Sequence, residues 1–432
     1  MPEISAGDTA FIMIATAMVL LMTVPGLAMF YGGMVRAKST LNMIMMSFGA
    51  MVVVALVWVT FGYSVTFGPA TGSGSWSLLG NPATYWGLGS IMNTESVAIN
   101  GGYIPIPALT FVAFQGVFAV ITVALISGAI ADRARFGPWL LFAAIWGTFV
   151  YLPVSRAVFY FGNEDGEQGG LIGATIGAID FAGGTAVHIN SGVAALALAI
   201  ILGKRVGFGK SPMRPSNLPL VMIGAGLLWF GWFGFNAGSA LAADGLAAIA
   251  FINTITATCA AVLAWLLTEK IRDGHATSLG AASGVVAGLV AITPACASVD
   301  TWGAISIGAI AGVLCAMAVD LKYRFGFDDS LDVVGVHLVG GIVGTILIGF
   351  FEAYDGLGIF YGGGVSQLIA QVQGVVIVMA YTFVMTLIIG GLLVKFAGFR
   401  ATKEAELRGV DLAQQAESAY DFSDAGSKGV KA

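Results

Sequence analysis

Two histidines of this sequence each follow an aspartate within an otherwise apolar stretch. Asp180 precedes His188 by eight positions, and Asp332 precedes His337 by five. Ionisable side chains are costly at membrane depth, so they usually mark a pathway or a proton relay. Only three histidines occur in the chain, and the third, His275, is predicted to be a solvated loop residue. The two Asp–His segments are therefore the first candidates for chemistry.

A structural interpretation of these residues stands beside the functional one. Either aspartate could be the N-cap of the helix that follows it, where its side-chain oxygen would accept a backbone N–H. The negative charge would still favour a nearby cation, so the two roles do not exclude each other. The two histidines could likewise be unrelated groups, each satisfied locally.

Aromatic residues at helical spacing form a second set of candidates. Phe114 and Phe118 lie four residues apart, and Trp232, Phe235 and Ser239 are spaced by three and four, so each set shares a helix face. The face of an aromatic ring attracts a cation by about 0.5–2 kcal/mol. A serine oxygen accepts a hydrogen bond from a cation that carries N–H donors. Such stripes also occur in plain helix packing, which the sequence does not exclude.

The composition indicates which elements must position these residues. The chain is 57% hydrophobic and 10% charged, whereas ordinary soluble chains are about 25% charged. Such a chain has too little polar surface to face water on all sides, which predicts an all-α polytopic membrane protein. The net charge of −5 argues against a nucleic-acid partner.

Eleven apolar runs are long enough to be transmembrane helices. Each holds roughly 19–31 residues, against the ~20 that a spanning helix needs. The first run lacks a basic segment before it and an Ala-x-Ala site after it, so it is expected to be a retained span rather than a signal peptide. The runs lie at about residues 8–35, 40–68, 107–131, 138–160, 182–203, 217–239, 246–270, 278–296, 302–321, 333–353 and 366–396.

The basic residues predict the orientation of these spans. Of the nineteen lysines and arginines, only Arg156 falls in a connection on the predicted outer side. The positive-inside rule then puts the N-terminus outside and the C-terminus in the cytoplasm. Residues 1–397 are accordingly predicted to form a transmembrane transport domain, and residues 398–432 a cytoplasmic tail. The connection at about 69–106 is predicted to be a folded external loop.

The first five spans and the next five run in opposite senses across the membrane. This predicts an inverted five-plus-five repeat with an additional eleventh helix. His188 lies on the fifth span, about 12 Å deeper than Asp180 at its outer start. His337 lies on the tenth span, about 7.5 Å from Asp332 at its inner start. The two halves are thus predicted to bring one imidazole each toward the midplane from opposite faces.

The remaining signals are structural or absent. Cys259, Cys296 and Cys315 fall in apolar runs without metal-ligand spacing, and they are predicted to be small core residues. Glycines such as those of Gly340-Gly341-x-x-Gly344 predict close helix packing or, alternatively, a backbone-lined pore. The sequence lacks His-Glu-x-x-His and Gly-x-Gly-Asp, so an intramembrane hydrolase is not expected. We expect no enzyme activity, cofactor or metal.

Five motifs give the chain a strong resemblance to the ammonium transporter family (Amt/Mep/Rh), in its bacterial Amt form. The resemblance runs from about residue 8 to the tail, and the motifs are long and mostly ungapped. They are Asp180-Phe-Ala-Gly-Gly-Thr-Ala-Val-His188-Ile-Asn190, Trp232-Phe-Gly-Phe-Asn-Ala-Gly-Ser239, Pro25-Gly-Leu-Ala-Met-Phe-Tyr-Gly-Gly33, Thr293-Pro-Ala-Cys296 and Asp332-Val-Val-Gly-Val-His337.

The resemblance implies a homotrimer of eleven-helix subunits in the plasma (cytoplasmic) membrane, the inner membrane of a bacterial cell. Each subunit would have its own narrow pore and would be surrounded by membrane lipid. Ammonium or ammonia is the implied substrate, and the tail resembles the family's regulatory segment, which implies docking of a trimeric PII-type signal protein.

The resemblance also implies roles for single residues. Phe114, Ser239 and a tryptophan would hold ammonium at an outer recruitment site, near the essential Asp180. The implied gate is Phe118 with Phe235. The twin histidines, His188 and His337, would lie below the gate, and Trp232 would line the lumen beside them. Asp332 would have a structural role on the inner side.

One departure from the family pattern concerns the outer site. Where most members have the recruitment-site tryptophan, this chain reads Pro153-Val-Ser-Arg-Ala-Val-Phe159. The segment from 160 to 180 is also longer than usual. Phenylalanine attracts a cation less strongly than tryptophan, so a weaker outer site is expected. Either Phe159 or Tyr160 would take the place of the tryptophan.

The implied mechanism is recruitment of ammonium, loss of a proton beyond the gate, and conduction past the histidines. Desolvation disfavours the charged form in an apolar lumen, so shedding the proton is the less costly route. Two alternatives remain open. One is a neutral channel for ammonia or carbon dioxide of the Rh type. The other is an ammonium sensor, which would need a signalling domain, and about 35 residues follow the last span.

Overall fold

The computed structural model describes residues 3–70, 78–92, 97–99, 102–162 and 168–420. Ten of its helices are long and apolar enough to cross a membrane, and one further apolar helix has fifteen residues. All eleven fall on the apolar runs predicted from the sequence. The prediction of a helical, multi-pass architecture is therefore confirmed for the described part of the chain.

The helices are numbered here in chain order. They are α1 (Ala6–Met34), α2 (Ala37–Phe67), α3 (Ala108–Ile130), α4 (Phe136–Phe159), α5 (Gly184–Leu202), α6 (Leu218–Gly238), α7 (Gly245–Asp273), α8 (Ser278–Ile292), α9 (Thr301–Phe325), α10 (Val334–Phe351), α11 (Ser366–Ala397) and the short α12 (Lys403–Arg408).

Glycine permits close approach between several of these helices. A Cβ atom at Gly344 of α10 would collide with the backbone oxygen of Ala291 in α8. A Cβ atom at Gly308 of α9 would likewise collide with the backbone of Ala257 in α7. At these positions the glycines serve close helix packing and not a backbone-lined pore. Small residues let helix backbones touch where lipid provides no hydrophobic driving force.

The two histidines occupy equivalent local structures. His188 lies in a π-helical turn, Gly184–Ile189, and His337 lies in another, Val334–Leu338. Each turn continues directly into an α-helical stretch of thirteen residues, which completes α5 and α10 respectively. A π turn widens the helix and rotates the side chains that it carries, and such turns occur frequently at functional sites.

The long connection between α2 and α3 contains some regular structure. A 3₁₀ turn spans Trp86–Ile91, and strands β1 (Val97–Ile99) and β2 (Gly102–Ile104) pair antiparallel. Within the segment 160–180, a π-helical turn covers Leu171–Ile176. Residues 163–167 of that segment lie outside the described residues.

The C-terminal segment after α11 packs against the helix connections instead of extending away from them. The Glu406 side chain accepts a hydrogen bond from the Val206 amide, in the connection after α5. The carboxylate of Asp411 accepts hydrogen bonds from two amides of α2, those of Leu41 (3.0 Å) and Asn42 (2.7 Å). Gln414 accepts one from the first amide of α4 (2.8 Å). Up to Gln414 this segment is therefore part of the folded body.

Candidate functional site

The imidazoles of His188 and His337 are in direct contact. Their Nδ1 atoms lie 3.2 Å apart, and the ring centroids are 5.3 Å apart with 21° between the ring planes. Both side chains are buried. A contact between two ring nitrogens requires one N–H donor and one acceptor, so two neutral rings share a single proton at this point.

Trp232 of α6 stacks on the histidine pair. Its ring lies 5.3 Å from that of His188 with 16° between the planes. The indole Nε1 donates a hydrogen bond to the Thr293 hydroxyl (2.8 Å). That hydroxyl in turn donates to the Leu289 carbonyl (2.7 Å). In the sequence, Thr293 stands out only as the first residue of the motif Thr293-Pro-Ala-Cys296. The structure assigns it the function of fixing the orientation of the indole.

Two phenylalanines lie directly above the histidines. The rings of Phe118 and Phe235 stack with centroids 4.2 Å apart and 22° between the planes. The centroid of Phe235 is 6.0 Å from that of His188. Both phenylalanines are buried. The pair therefore separates the histidines from the space beyond it.

That space is a cavity of about 330 Å³, which we call the outer cavity. Its aromatic wall includes Phe118 and Phe159, and its polar wall includes Asp180 and Ser239. The Ser239 hydroxyl donates to the Phe235 carbonyl (2.8 Å), so its oxygen lone pairs stay available as acceptors. The cavity thus combines ring faces, a hydroxyl acceptor and a carboxylate.

Phe114 is not part of the cavity wall. It is fully buried, and its ring meets that of Phe118 edge to face at 5.0 Å and 64°. Two other residues of α3, Phe111 and Gln115, line the cavity instead. Sequence reasoning missed them, although Phe111 lies one turn before Phe114 and Gln115 directly follows it.

The structure distinguishes the two residues that could replace the missing tryptophan. Phe159 lines the outer cavity. Tyr160 is buried, and the guanidinium carbon of Arg156 lies 3.9 Å from the centre of its ring. Of the two, Phe159 is therefore the one placed to meet a solute in the cavity.

Asp180 caps α5 with both of its carboxylate oxygens. One oxygen accepts from the amides of Gly183 (2.8 Å) and Gly184 (2.7 Å). The other accepts from the amides of Thr185 (2.8 Å) and Ala186 (3.1 Å). Four backbone donors thus hold the carboxylate at the positive end of the helix, which fits the capping interpretation. The residue also forms part of the cavity wall, so the capping role does not remove it from the site.

Asp332 does not cap α10, so the structural alternative left open for this residue does not apply. Asp332 adopts a left-handed backbone conformation (φ 64°), and its carboxylate forms an ion pair with Lys322 of α9 at 2.5 Å. Asp329 provides the cap instead, since its Oδ2 accepts from the Val334 amide at 2.7 Å. Burial and, second to it, the neighbouring Asp332 raise the pKa of Asp329 to about 6, against the opposing effect of Lys322.

A narrow space continues on the far side of the histidines. It measures about 10 Å³ and is lined by His188, His337, Trp232 and apolar residues such as Leu27 and Leu228. A volume of about 10–15 Å³ holds one water-sized molecule. The stacked phenylalanine pair therefore lies between the outer cavity and the histidines, and the narrow space borders the histidines as a separate cavity.

Comparisons with known proteins identify the group to which this chain is related. A family model described as the Ammonium Transporter Family matches residues 10–420. The chain is 56% identical to an ammonium transporter of Mycobacterium tuberculosis, over 96% of this chain and 91% of that protein. It is 46% identical to an ammonium transporter of Aquifex aeolicus, over 97% and 95% respectively.

Solved structures agree with the sequence relatives. The crystal structure of Candida albicans Mep2 matches with a TM-score of 0.84 and 34% identity, over 98% of this chain and 92% of that one. A protein described as a sensor Amt protein matches with a TM-score of 0.84 and 28% identity, over 94% and 98%. With its ten long apolar helices, the chain is a multi-pass membrane protein, and it belongs to the ammonium transporter family.

Proposed function

We propose that this protein transports ammonium across the plasma membrane by recruiting the cation, removing a proton and conducting ammonia. The observation that carries the proposal is the contact between His188 and His337 behind a stacked phenylalanine pair, which borders a cavity with a cation-attracting wall. A pair of neutral, buried imidazoles in a space of one-molecule width suits a small polar solute that can both donate and accept hydrogen bonds.

Recruitment takes place in the outer cavity. The ring faces of Phe118 and Phe159 attract a cation, the Asp180 carboxylate adds a negative charge, and the Ser239 oxygen accepts an N–H. Phe114 lies behind the cavity wall, where it packs edge to face against the ring of Phe118 and so supports it. Ammonium and potassium are similar in size and charge, but only ammonium has directed N–H donors. A wall of rings with one hydroxyl acceptor therefore favours ammonium, because it replaces the water shell of potassium poorly.

Passage beyond the phenylalanines requires loss of the proton. Phe118 and Phe235 form the gate in this proposal, and their rings must move apart for a solute to pass because they stack at 4.2 Å. The space below them is lined mostly by apolar side chains. Moving a bare ion into such surroundings costs many kcal/mol, whereas neutral ammonia carries no such charge penalty.

The histidines and Trp232 then give ammonia a polar wall without a fixed charge. Repulsion opposes charging two adjacent imidazoles at once, so the pair remains able to offer a donor on one side and an acceptor on the other. Trp232 holds the His188 ring in plane through stacking, and its own orientation is fixed by Thr293.

The same proposal includes the arrangement of the chain in the membrane. We infer eleven transmembrane helices in an inverted five-plus-five repeat, with the N-terminus outside, residues 1–397 as the transport domain and 398–432 as a cytoplasmic tail. The matching π turns at His188 and His337 support the repeat. A homotrimer and a PII-type regulator at the cytoplasmic face are the proposed assembly and partner.

Purified protein in liposomes tests this function when charge and nitrogen movement are recorded together. We expect an ammonium gradient to drive saturable entry of nitrogen. An inward current shows that the released proton crosses the membrane as well as ammonia, and the absence of a current shows that the proton returns to the outer side. Entry of nitrogen without saturation and without current would favour a neutral channel of the Rh type. Binding of ammonium without entry would favour a sensor, a second candidate supported by the likeness to a protein described as a sensor Amt protein.

A further inference from the structure

The segment that carries Asp180 has no regular secondary structure. Residues 177–183 connect the π turn after α4 to the start of α5, and several of them line the outer cavity. Backbone N–H and C=O groups buried in an irregular segment need partners outside it. At membrane depth, water does not supply those partners, so other helices must.

Gln371 of α11 supplies both partners for the residue directly before Asp180. Its Oε1 accepts from the Ile179 amide at 2.6 Å, and its Nε2 donates to the Ile179 carbonyl at 2.8 Å. The same Nε2 also donates to the Thr345 carbonyl of α10 at 3.0 Å. The Gln371 side chain is fully buried. One primary amide therefore ties the segment to α11 and α10 together.

A second glutamine and a backbone contact complete the attachment. Gln367, one turn earlier on α11, donates to the Gly177 carbonyl at 3.1 Å and to Oε1 of Gln371 at 3.0 Å. On the other side of Asp180, the Phe181 amide donates to the Pro294 carbonyl at 3.1 Å. Asp180 thus lies between two residues whose backbones are held from outside the segment, one by α11 and the other by the turn after α8.

We propose that Gln371 is a positioning residue for substrate recruitment, which sets the place of the Asp180 carboxylate at the wall of the outer cavity. The proposal rests on the function proposed above. Asp180 is fixed to α5 through four amides, and Gln371 fixes the start of that arrangement to the rest of the molecule. The eleventh helix thereby contributes to recruitment without touching the substrate.

The chemistry of the contact explains why glutamine occupies this position. The backbone of Ile179 requires an acceptor and a donor at once, and a primary amide offers both in one plane. Methionine has a similar length but offers neither. Without the amide, the two backbone groups of Ile179 would lose their partners in a half-buried place, which is unfavourable, and the segment would shift to find other partners. The attraction between a carboxylate and a cation depends on their separation, so such a shift weakens recruitment.

Gln371→Met tests the proposal against a matched control on the same helix. Gln373 lies two residues further on and is exposed, so Gln373→Met makes the same chemical change without touching the Asp180 segment. We expect Gln371→Met to raise the half-saturation concentration for methylammonium roughly tenfold while the maximal rate per assembled protein is retained. Gln373→Met should leave both parameters unchanged.

Two results would overturn the positioning role. One is an identical half-saturation concentration in Gln371→Met and Gln373→Met, and the other is a fall in maximal rate alone. If Gln371→Met fails to reach the membrane, Gln367→Met replaces it, with an expected rise of roughly threefold, and no rise would count against the proposal. A wild-type protein without saturable uptake would instead refute the proposed function itself, and the positioning role with it.

Discussion

At the scale of single residues, the histidine pair is the feature that defines the site. The Asp–His spacings led to the prediction that both imidazoles approach the midplane, and the structure brings them into contact at 3.2 Å. The nitrogen that each ring presents to the other could not be predicted, because the π turns that rotate both rings are not visible in the sequence. Phe111 and Gln115 were missed for a similar reason, since their helix is apolar on nearly every side.

Replacing either histidine by leucine is expected to reduce ammonium flux by about tenfold or more, because the ammonia path then loses a polar partner that contributes about 1–3 kcal/mol. Uptake of labelled methylammonium and potassium leakage in liposomes measure the effect. His275→Leu is the control, because that histidine is exposed. Unchanged uptake and unchanged potassium exclusion in both single variants would refute the role of the pair.

Phe159→Trp is expected to tighten the half-saturation concentration for methylammonium several-fold. Tryptophan is the strongest cation–π partner, and the gain of about 1 kcal/mol corresponds to such a change. Phe149→Trp is a suitable control because Phe149 lies on the same helix and is 56% exposed. A looser or identical value in Phe159→Trp would exclude Phe159 from the recruitment site.

At the scale of elements, the helix starts show where sequence reasoning succeeds and where it fails. An aspartate before an apolar run was expected to act as a cap, and Asp180 meets that expectation with four amides. For α10, the same rule selected Asp332, but the cap is Asp329. The left-handed backbone at Asp332 turns its side chain toward Lys322. Three aspartates lie within five residues before α10, so the sequence alone does not show which of them binds the first amides of the helix. The ion pair between Asp332 and Lys322 of α9 decides it.

The raised pKa of Asp329 predicts a pH-dependent stability. The native carboxyl keeps its proton up to about pH 6, whereas an unfolded aspartate releases it near 3.9. Between these values the native state binds more protons, so the free energy of unfolding falls as the pH rises, by on the order of 1–3 kcal/mol in total.

Asp329→Asn removes this titration while keeping an acceptor for the Val334 amide. The difference between the unfolding temperatures of wild type and variant in detergent should therefore change between pH 4.5 and 7. The wild type should become less stable relative to the variant as the pH rises. Above pH 7 the difference should be constant. A difference that stays the same over the whole range would contradict the raised pKa.

At the scale of the whole molecule, the eleven apolar segments were predicted within a few residues, because hydrophobic length is a local property that the sequence displays directly. The C-terminal segment was expected to be a charged tail, which its composition indicates. Its packing against the helix connections could not be predicted, because it depends on single contacts between distant residues. Lys38, for example, donates to the Glu406 and Leu407 carbonyls at 2.9 and 2.8 Å, across more than 360 positions.

Glu406 is expected to be the residue that holds this segment in place. Its side chain is 1% exposed and contacts the Val206 amide and the guanidinium of Arg400. Glu406→Ala should weaken the attachment by about 1–3 kcal/mol, which limited proteolysis of the C-terminal segment detects as faster cleavage. Glu404→Ala is the control, because Glu404 is exposed two residues away. Equal cleavage rates in the two variants would show that Glu406 does not hold the segment.

The fifteen residues of α8 extend only about 22 Å, which is less than the ~30 Å hydrocarbon thickness of a bilayer. The chain continues after it in turns whose main-chain oxygens accept hydrogen bonds. Pro294 O receives the Phe181 amide, and Cys296 O and Val299 O receive the amide of Asn253. Main-chain atoms are common to all amino acids, so no single point mutation in this stretch can delete those acceptors. The backbone of Phe181, which lines the outer cavity, is consequently held by an acceptor that a substitution at position 294 leaves in place.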